Sequence, residues 1–117
     1  MTNHPNRSKQ QTAKHTPGPW HHKHDDYAKN VINVEADGHI PICRLTGIAS
    51  ARNDGEANAR LIAAAPELLA ALKAVTDDAE QAIKDIGGCD HSVGICCCDI
   101  IGNVEHARTA IAKAEGR

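Results

Sequence analysis

The chain has 117 residues, and 41% of them are apolar, but 19 are alanine and only 21 are valine, isoleucine or leucine. This length allows one domain, and the small supply of large apolar side chains excludes a large enzyme with a deep core. The net charge of −2 excludes a strongly acidic mimic of DNA, and no basic stripe favours binding to nucleic acid. No apolar run approaches the ~20 residues of a membrane span, so we expect no membrane partner.

The first 15 residues predict a disordered tail, because Met1 and Ala13 are their only apolar residues. They also lack the apolar stretch of a secretory signal, which leads us to expect a cytoplasmic protein. A single domain is predicted over residues 16–117. Near its start, Trp20 is predicted to be a packing anchor that closes an edge of the core, and the alternative is that its ring stacks on a ligand.

Residues 16–50 predict a β region, either a hairpin or a three-stranded antiparallel sheet. Two runs with the composition of strands, 31–36 and 39–45, flank Asp37-Gly38, a pair typical of a two-residue type I′ turn. Pro41 has no N–H to donate to a neighbouring strand. The second run is therefore predicted to be an edge strand or to carry a bulge.

Residues 53–86 predict a helix that is kinked or broken at Pro66, because proline removes a hydrogen bond and clashes with the preceding turn. Asn53 or Asp54 is suited to cap the start of this helix, and Gly87-Gly88 to end it. Apolar residues at spacings of three and four predict its buried face. This predicted face consists of Ala57, Leu61, Ala65, Leu68, Leu72 and Val75, and Ile62 and Leu69 widen it.

Residues 87–99 predict a cysteine-rich loop, and residues 103–115 predict a C-terminal helix capped by Asn103. Because both helices are rich in alanine, we expect them to form an antiparallel hairpin with the cysteine loop at its tip. The predicted fold class is therefore α+β: a small antiparallel sheet, then a kinked helix and a C-terminal helix, with the helices covering one sheet face.

The cysteine-rich loop is the strongest candidate for chemistry. Four of the five cysteines lie within ten residues, and in a reducing compartment such a cluster favours metal over disulfides. Tetrahedral zinc takes four thiolate or imidazole ligands. The alternatives are a loop of reduced, partly buried thiols and a redox or disulfide role. The predicted zinc ligands are Cys89, His91, Cys96 and Cys98, with His106 as a possible substitute.

Two weaker candidates lie elsewhere. His22 and His24 share one face of an extended segment and could bind a metal together with Asp25 or Asp26, although a solvated polar loop is the alternative. Arginines suit phosphate recognition, so a small nucleotide could bind at an oligomer interface, against the alternative of solvated surface side chains. The candidate ligand-binding residues are Arg44, Arg52, Arg60 and Trp20. No catalytic motif is present, and the sequence predicts a protein that is not an enzyme.

Two stretches, HTPGPW at residues 15–20 and EANARLIAAAPELL at residues 56–69, resemble a group of small uncharacterised proteins encoded by tailed phages and prophages. The resemblance implies a phage or prophage origin, a bacterial host and an accessory function. It leads us to expect a non-enzymatic protein that binds a host factor or a small ligand. One version sequesters a nucleotide signal in an oligomer and so counteracts host antiviral defence.

The alternative function is a zinc-stapled module that interacts with protein or nucleic acid. In this hypothesis, the metal compensates for a core that is short of large apolar side chains. The same shortage leads us to expect a homo-oligomer, because self-association would bury additional apolar surface.

Overall fold

The computed structural model describes residues 14–47, 54–89 and 96–117. These residues form two compact units, Lys14–Leu68 and Leu69–Arg117. Three antiparallel strands followed by helices confirm the predicted α+β class. The elements in chain order are β1 (Trp20–His24), β2 (Ile32–Ala36), β3 (Ile40–Leu45), α1 (Asp54–Ala63), α2 (Ala65–Asp85) and α3 (Cys98–Ala114).

The sheet has the order β1-β2-β3, so the histidine-rich segment supplies a third strand. Pro41 lies on the edge strand β3 opposite Glu35, next to a bulge in the pairing of β2 with β3, as its missing N–H predicts. The prediction of a two-residue turn is wrong. Ala36 pairs with Ile40, so the loop between the two strands has three residues. In this loop Gly38 and His39 have positive φ angles of 81° and 60°.

The core of the first unit lies between the sheet and α1. Ile32, Val34 and Leu45 pack against Ala59 and Ala63 of the helix. Gly55, four residues before Ala59, is also buried, so the fully buried positions of the helix carry only small side chains, and the larger Ile62 packs against the core only in part. Such a face allows the helix backbone to approach the sheet closely. Trp20 packs against the same core, and its indole N–H donates to the carbonyl oxygen of Thr16 at 3.1 Å.

The predicted buried helix face is therefore wrong except at Ile62, which packs against the core, and Leu69, which is half-buried. Its other members are exposed, and Leu61, Leu68 and Val75 expose 64%, 52% and 65% of their surface. At Ala59 and Ala63 the sheet takes small residues because larger side chains at these positions would hold the helix away from the strands. The exposed members are Ala57, Leu61, Ala65, Leu68, Leu72 and Val75.

The interruption at Pro66 is confirmed as a break between two helices. Helix α1 ends at Ala63, and α2 begins at Ala65. Pro66 lies in the first turn of α2, where its missing N–H costs no helical hydrogen bond. Helix α2 then continues to Asp85.

The second unit is a helical hairpin. Lys73, near the middle of α2, contacts Glu115 just after α3, whereas Glu80, further along α2, contacts Arg108. As the residue number on α2 rises from 73 to 80, the residue number of the contacted partner falls from 115 to 108. The two helices therefore run antiparallel, as predicted. Ile111 of α3 is fully buried.

Helix α3 begins five residues earlier than predicted. Its first residue is Cys98, so Asn103 lies inside the helix and does not cap it. The residue before the helix, Cys97, makes no capping hydrogen bond with its side chain, while Asp99 places a negative charge in the first turn. That charge stabilises the start of the helix by favourable interaction with the helix dipole. No helix in the described parts of the chain is long and apolar enough to cross a membrane.

Candidate metal centre

Three cysteine sulphurs converge at the tip of the helical hairpin. Cys89 follows the two glycines after α2, and Cys96 and Cys98 stand at the start of α3. The Sγ atom of Cys89 lies 3.7 Å from that of Cys96 and 3.5 Å from that of Cys98. All three Sγ atoms lie within 4.8 Å of one another. None of the five cysteines forms a disulfide.

The sulphur spacing matches the geometry of a tetrahedral zinc–thiolate site. A Zn–S bond of about 2.3 Å and tetrahedral angles place neighbouring sulphurs about 3.8 Å apart. The two distances from Cys89 are close to that value. The three cysteines could therefore hold a soft or borderline cation such as Zn²⁺ with only small side-chain rotations.

The electrostatics of the cluster single out Cys89. The backbone N–H of Cys97 donates to its Sγ at 3.4 Å, and together with the neighbouring thiols lowers the pKa of Cys89 to about 7. Hydrogen bonds to Cys89 and Cys96 raise the pKa of Cys98 to about 12. Cys89 therefore becomes a thiolate, the form that binds metal, at lower pH than Cys98 does.

Two further zinc ligands, His91 and His106, are predicted from the sequence. His91 lies outside the described residues. His106 follows Cys98 by eight residues on the same helix, which places it about 12 Å further along the axis. Among the described residues, the group of converging metal ligands consists of three sulphurs, and a fourth ligand has to come from elsewhere.

Two of the predicted nucleotide ligands, Trp20 and Arg44, are not brought together. Trp20 pairs with Ala36, whereas Arg44 pairs with Asn33, so the two side chains lie on opposite faces of the sheet. Arg44 is ion-paired to Asp25 at 3.2 Å, and Arg60 is exposed on α1. Arg52 lies outside the described residues.

The aspartates beside the histidines have a different role from the one predicted. Asp25 accepts hydrogen bonds from the backbone N–H groups of Tyr27 and Ala28 and from the side chains of Asn33 and Arg44. The bond from Ala28 is the largest cause that lowers the pKa of Asp25 to about 2. Its oxygens are occupied in shaping the turn between β1 and β2.

Glu56 of α1 is the acidic partner of two histidines instead. The Nε2 atom of His22 lies 3.3 Å from Oε1 of Glu56, and that of His24 lies 2.8 Å from Oε2. The hydrogen bond with His24 is the largest cause of a lowered pKa of Glu56. Period-two alternation predicts that the histidines share a face, but the contact with Glu56 depends on how α1 packs. His21, on the other face, pairs with Asp37.

Comparison with known proteins gives one relationship. The sequence profile of the family described as Salmonella phage P22 protein Y8K6 matches residues 1–117. No curated protein and no solved structure matches the chain.

Proposed function

The chain belongs to the family of Salmonella phage P22 protein Y8K6, and we propose that it is a non-enzymatic phage accessory protein built around a zinc-stapled helical hairpin that binds a host protein. The convergence of Cys89, Cys96 and Cys98 at the hairpin tip carries this proposal. It favours the interaction module over the other hypotheses drawn from the sequence.

A metal bound by the three cysteines would stabilise the helical hairpin. The hairpin tip joins α2 to α3 through a segment rich in cysteine and glycine, and the described residues of the second unit bury few large apolar side chains. A metal bound at the tip fixes the two helix ends relative to each other, as metals do in other small domains with thin cores. The same thiols, once bound to metal, are not available as nucleophiles, in keeping with a protein that is not an enzyme.

A host protein fits the structure better than a small nucleotide. Trp20 and Arg44 lie on opposite sheet faces, and the carboxylate of Asp25 already neutralises Arg44. Apart from Tyr27 and Ile40 in the sheet region, the large exposed apolar residues lie on or next to the helices, where a partner protein could cover them. We propose that blocking a host defence factor, rather than sequestering a nucleotide, is how this protein would aid the phage.

We also propose that the chain self-associates through α2. Apolar residues, all of them exposed except the half-buried Ala79, recur along this helix at alternating spacings of three and four, the pattern of a coiled-coil seam. A second copy carries the same seam and can form a closed two-fold interface. The seam consists of Ala65, Leu68, Leu72, Val75, Ala79 and Ala82.

Metal analysis of the full-length chain tests the zinc staple. We expect about one zinc per chain that depends on the loop cysteines, loss of it in Cys89→Ser and Cys96→Ser, and retention in the matched control Cys43→Ser. Bound Co²⁺ should show sulphur-to-metal charge-transfer absorption. No zinc dependent on these cysteines, together with a melting temperature unchanged by a chelator, would overturn the staple.

Binding to a host protein needs a separate test. Pull-down from a bacterial lysate should capture the same partner with the wild type and Cys43→Ser, and should lose it with Cys96→Ser. Capture that is equal for all three proteins, or no capture by any, would contradict a partner surface that the hairpin organises.

A further inference from the structure

The three sulphurs at the hairpin tip lie close enough to react with one another. We propose that hydrogen peroxide oxidises Cys89 when the tip is free of metal, and that Cys98 then closes a disulfide with it. This proposal stands apart from the zinc staple, because it uses the thiols without a bound ion.

The geometry places Cys98 as the nearest thiol to Cys89. Their Sγ atoms lie 3.5 Å apart, whereas those of Cys89 and Cys96 lie 3.7 Å apart. A disulfide has an S–S bond of about 2.05 Å, so the two sulphurs have to approach each other by about 1.5 Å. Cys98 is exposed at the first position of α3, and Cys89 is half-buried in the segment after α2. Rotation of the two side chains brings their sulphurs together.

The backbone around Cys89 prepares its sulphur for attack on a peroxide. The N–H of Cys97 donates to Sγ of Cys89 at 3.4 Å and stabilises negative charge on it. The thiolate is the form of cysteine that peroxides oxidise. Cys97 itself is only 4% exposed, so its own thiol is shielded from the solvent that carries the oxidant.

The reaction has two steps, and both balance. The Cys89 thiolate attacks one oxygen of hydrogen peroxide, the O–O bond breaks, and the products are a sulfenic acid and hydroxide, which takes up the proton that Cys89 has lost. The thiol of Cys98 then displaces the hydroxyl group from the sulfenic sulphur, and its proton leaves with that group as water. In total, two thiols give two electrons to one peroxide, which becomes two molecules of water.

The disulfide and a bound metal exclude each other at the hairpin tip. The bond uses two of the three converging sulphurs and leaves Cys96 as the third. It also ties the segment after α2 to the first residue of α3, so the helix ends stay joined in the oxidised chain. Accessible cysteines that stand next to a resolving thiol are typical of redox sensors, and disulfides of this kind form transiently in reducing compartments.

The test is oxidation of the reduced full chain, at low protein concentration, by one equivalent of hydrogen peroxide. A chelator is present throughout, so the result does not depend on whether the tip binds zinc. All five cysteines are free in the reduced chain, and a thiol titration after unfolding should find two fewer in the oxidised chain. An unchanged thiol count would overturn the proposal.

The position of the bond can be read from the unaltered chain, which avoids variants that fail to fold. Cleavage on the N-terminal side of aspartate releases peptide 85–89, which ends at Cys89, and peptide 90–98, which ends at Cys98. We expect these two peptides to be joined, and fragmentation to place the bond at Cys98. Separate peptides, or a bond at Cys96, would show that the proposal is wrong.

Variants then separate the roles of the thiols. Cys89→Ser should lose no thiols, and Cys98→Ser should retain Cys89 as a sulfenic acid that dimedone traps. The matched control Cys96→Ser, in the same cluster, should form the disulfide as the wild type does. Formation of a disulfide in Cys98→Ser at the wild-type rate would contradict the role of Cys98. Zinc binding measured without oxidant tests the staple alone, so failure of either proposal leaves the other standing.

Discussion

The same substitution at two valines tests which apolar residues form the core. Val34 is 0% exposed between β1 and β3, whereas Val75 is 65% exposed on α2. Val34→Ala removes two buried carbons, which costs about 1.6 kcal/mol in transfer free energy, and the cavity left behind raises the total to about 2–3 kcal/mol. For a unit of this size that loss lowers the melting temperature by roughly 10 °C or more.

Val75→Ala should change the stability of the monomer by less than about 0.5 kcal/mol, because it removes exposed carbons and alanine favours a helix. Thermal melts followed by Trp20 fluorescence and by circular dichroism, across a range of protein concentrations, measure both effects. A loss for Val75→Ala that appears only at high concentration would come from the α2 seam. Equal losses for the two variants at every concentration would refute the assignment of the core.

Three further predictions concern single positions. The hydrogen bond from Lys73 lowers the pKa of Glu115, so the pair stabilises the hairpin above the ordinary pKa of glutamate and loses this effect as pH falls through the lowered pKa. Glu115→Gln should therefore reduce the melting temperature slightly at pH 7 and not at pH 2, and equal losses at both would contradict the ion pair. In Gly18→Ala the new Cβ would lie 3.0 Å from Cβ of Pro66, so we expect a lower melting temperature, followed by Trp20 fluorescence. An unchanged melting temperature would show that Pro66 moves aside without cost. Gly102 lies inside α3 with open space around it, and Gly102→Ala should raise the stability to urea by about 0.5–1 kcal/mol; a loss would point to a contact at this position.

The local signals in the sequence predict the class of the fold and several of its boundaries. Pro66 marks the break between α1 and α2 because it lacks an N–H, and Pro41 marks an edge strand for the same reason. The grouping of cysteines predicts that Cys89, Cys96 and Cys98 act together, and the antiparallel hairpin brings their sulphurs to one point.

The features that depend on packing could not be predicted in this way. Periodicity identifies the apolar stripe that contains Leu68 and Val75, but it cannot show whether a partner within the chain covers it. The sheet instead takes the face that contains Ala59, because close approach favours small side chains. The contact of Glu56 with His24 joins residues 32 apart in the sequence, and only the tertiary packing of α1 creates it.

The two edges of the sheet limit how the protein can aggregate. An open edge strand can pair with another molecule and start a fibre. On β3, Pro41 and the adjacent bulge interrupt the row of hydrogen-bonding groups, and on β1 Lys23 and its histidine neighbours place polar side chains along the edge. Growth by strand addition is therefore disfavoured at both ends of the sheet. If copies of the chain associate through the α2 seam proposed above, that closed helical contact ends at a finite number of copies, whereas strand addition would not.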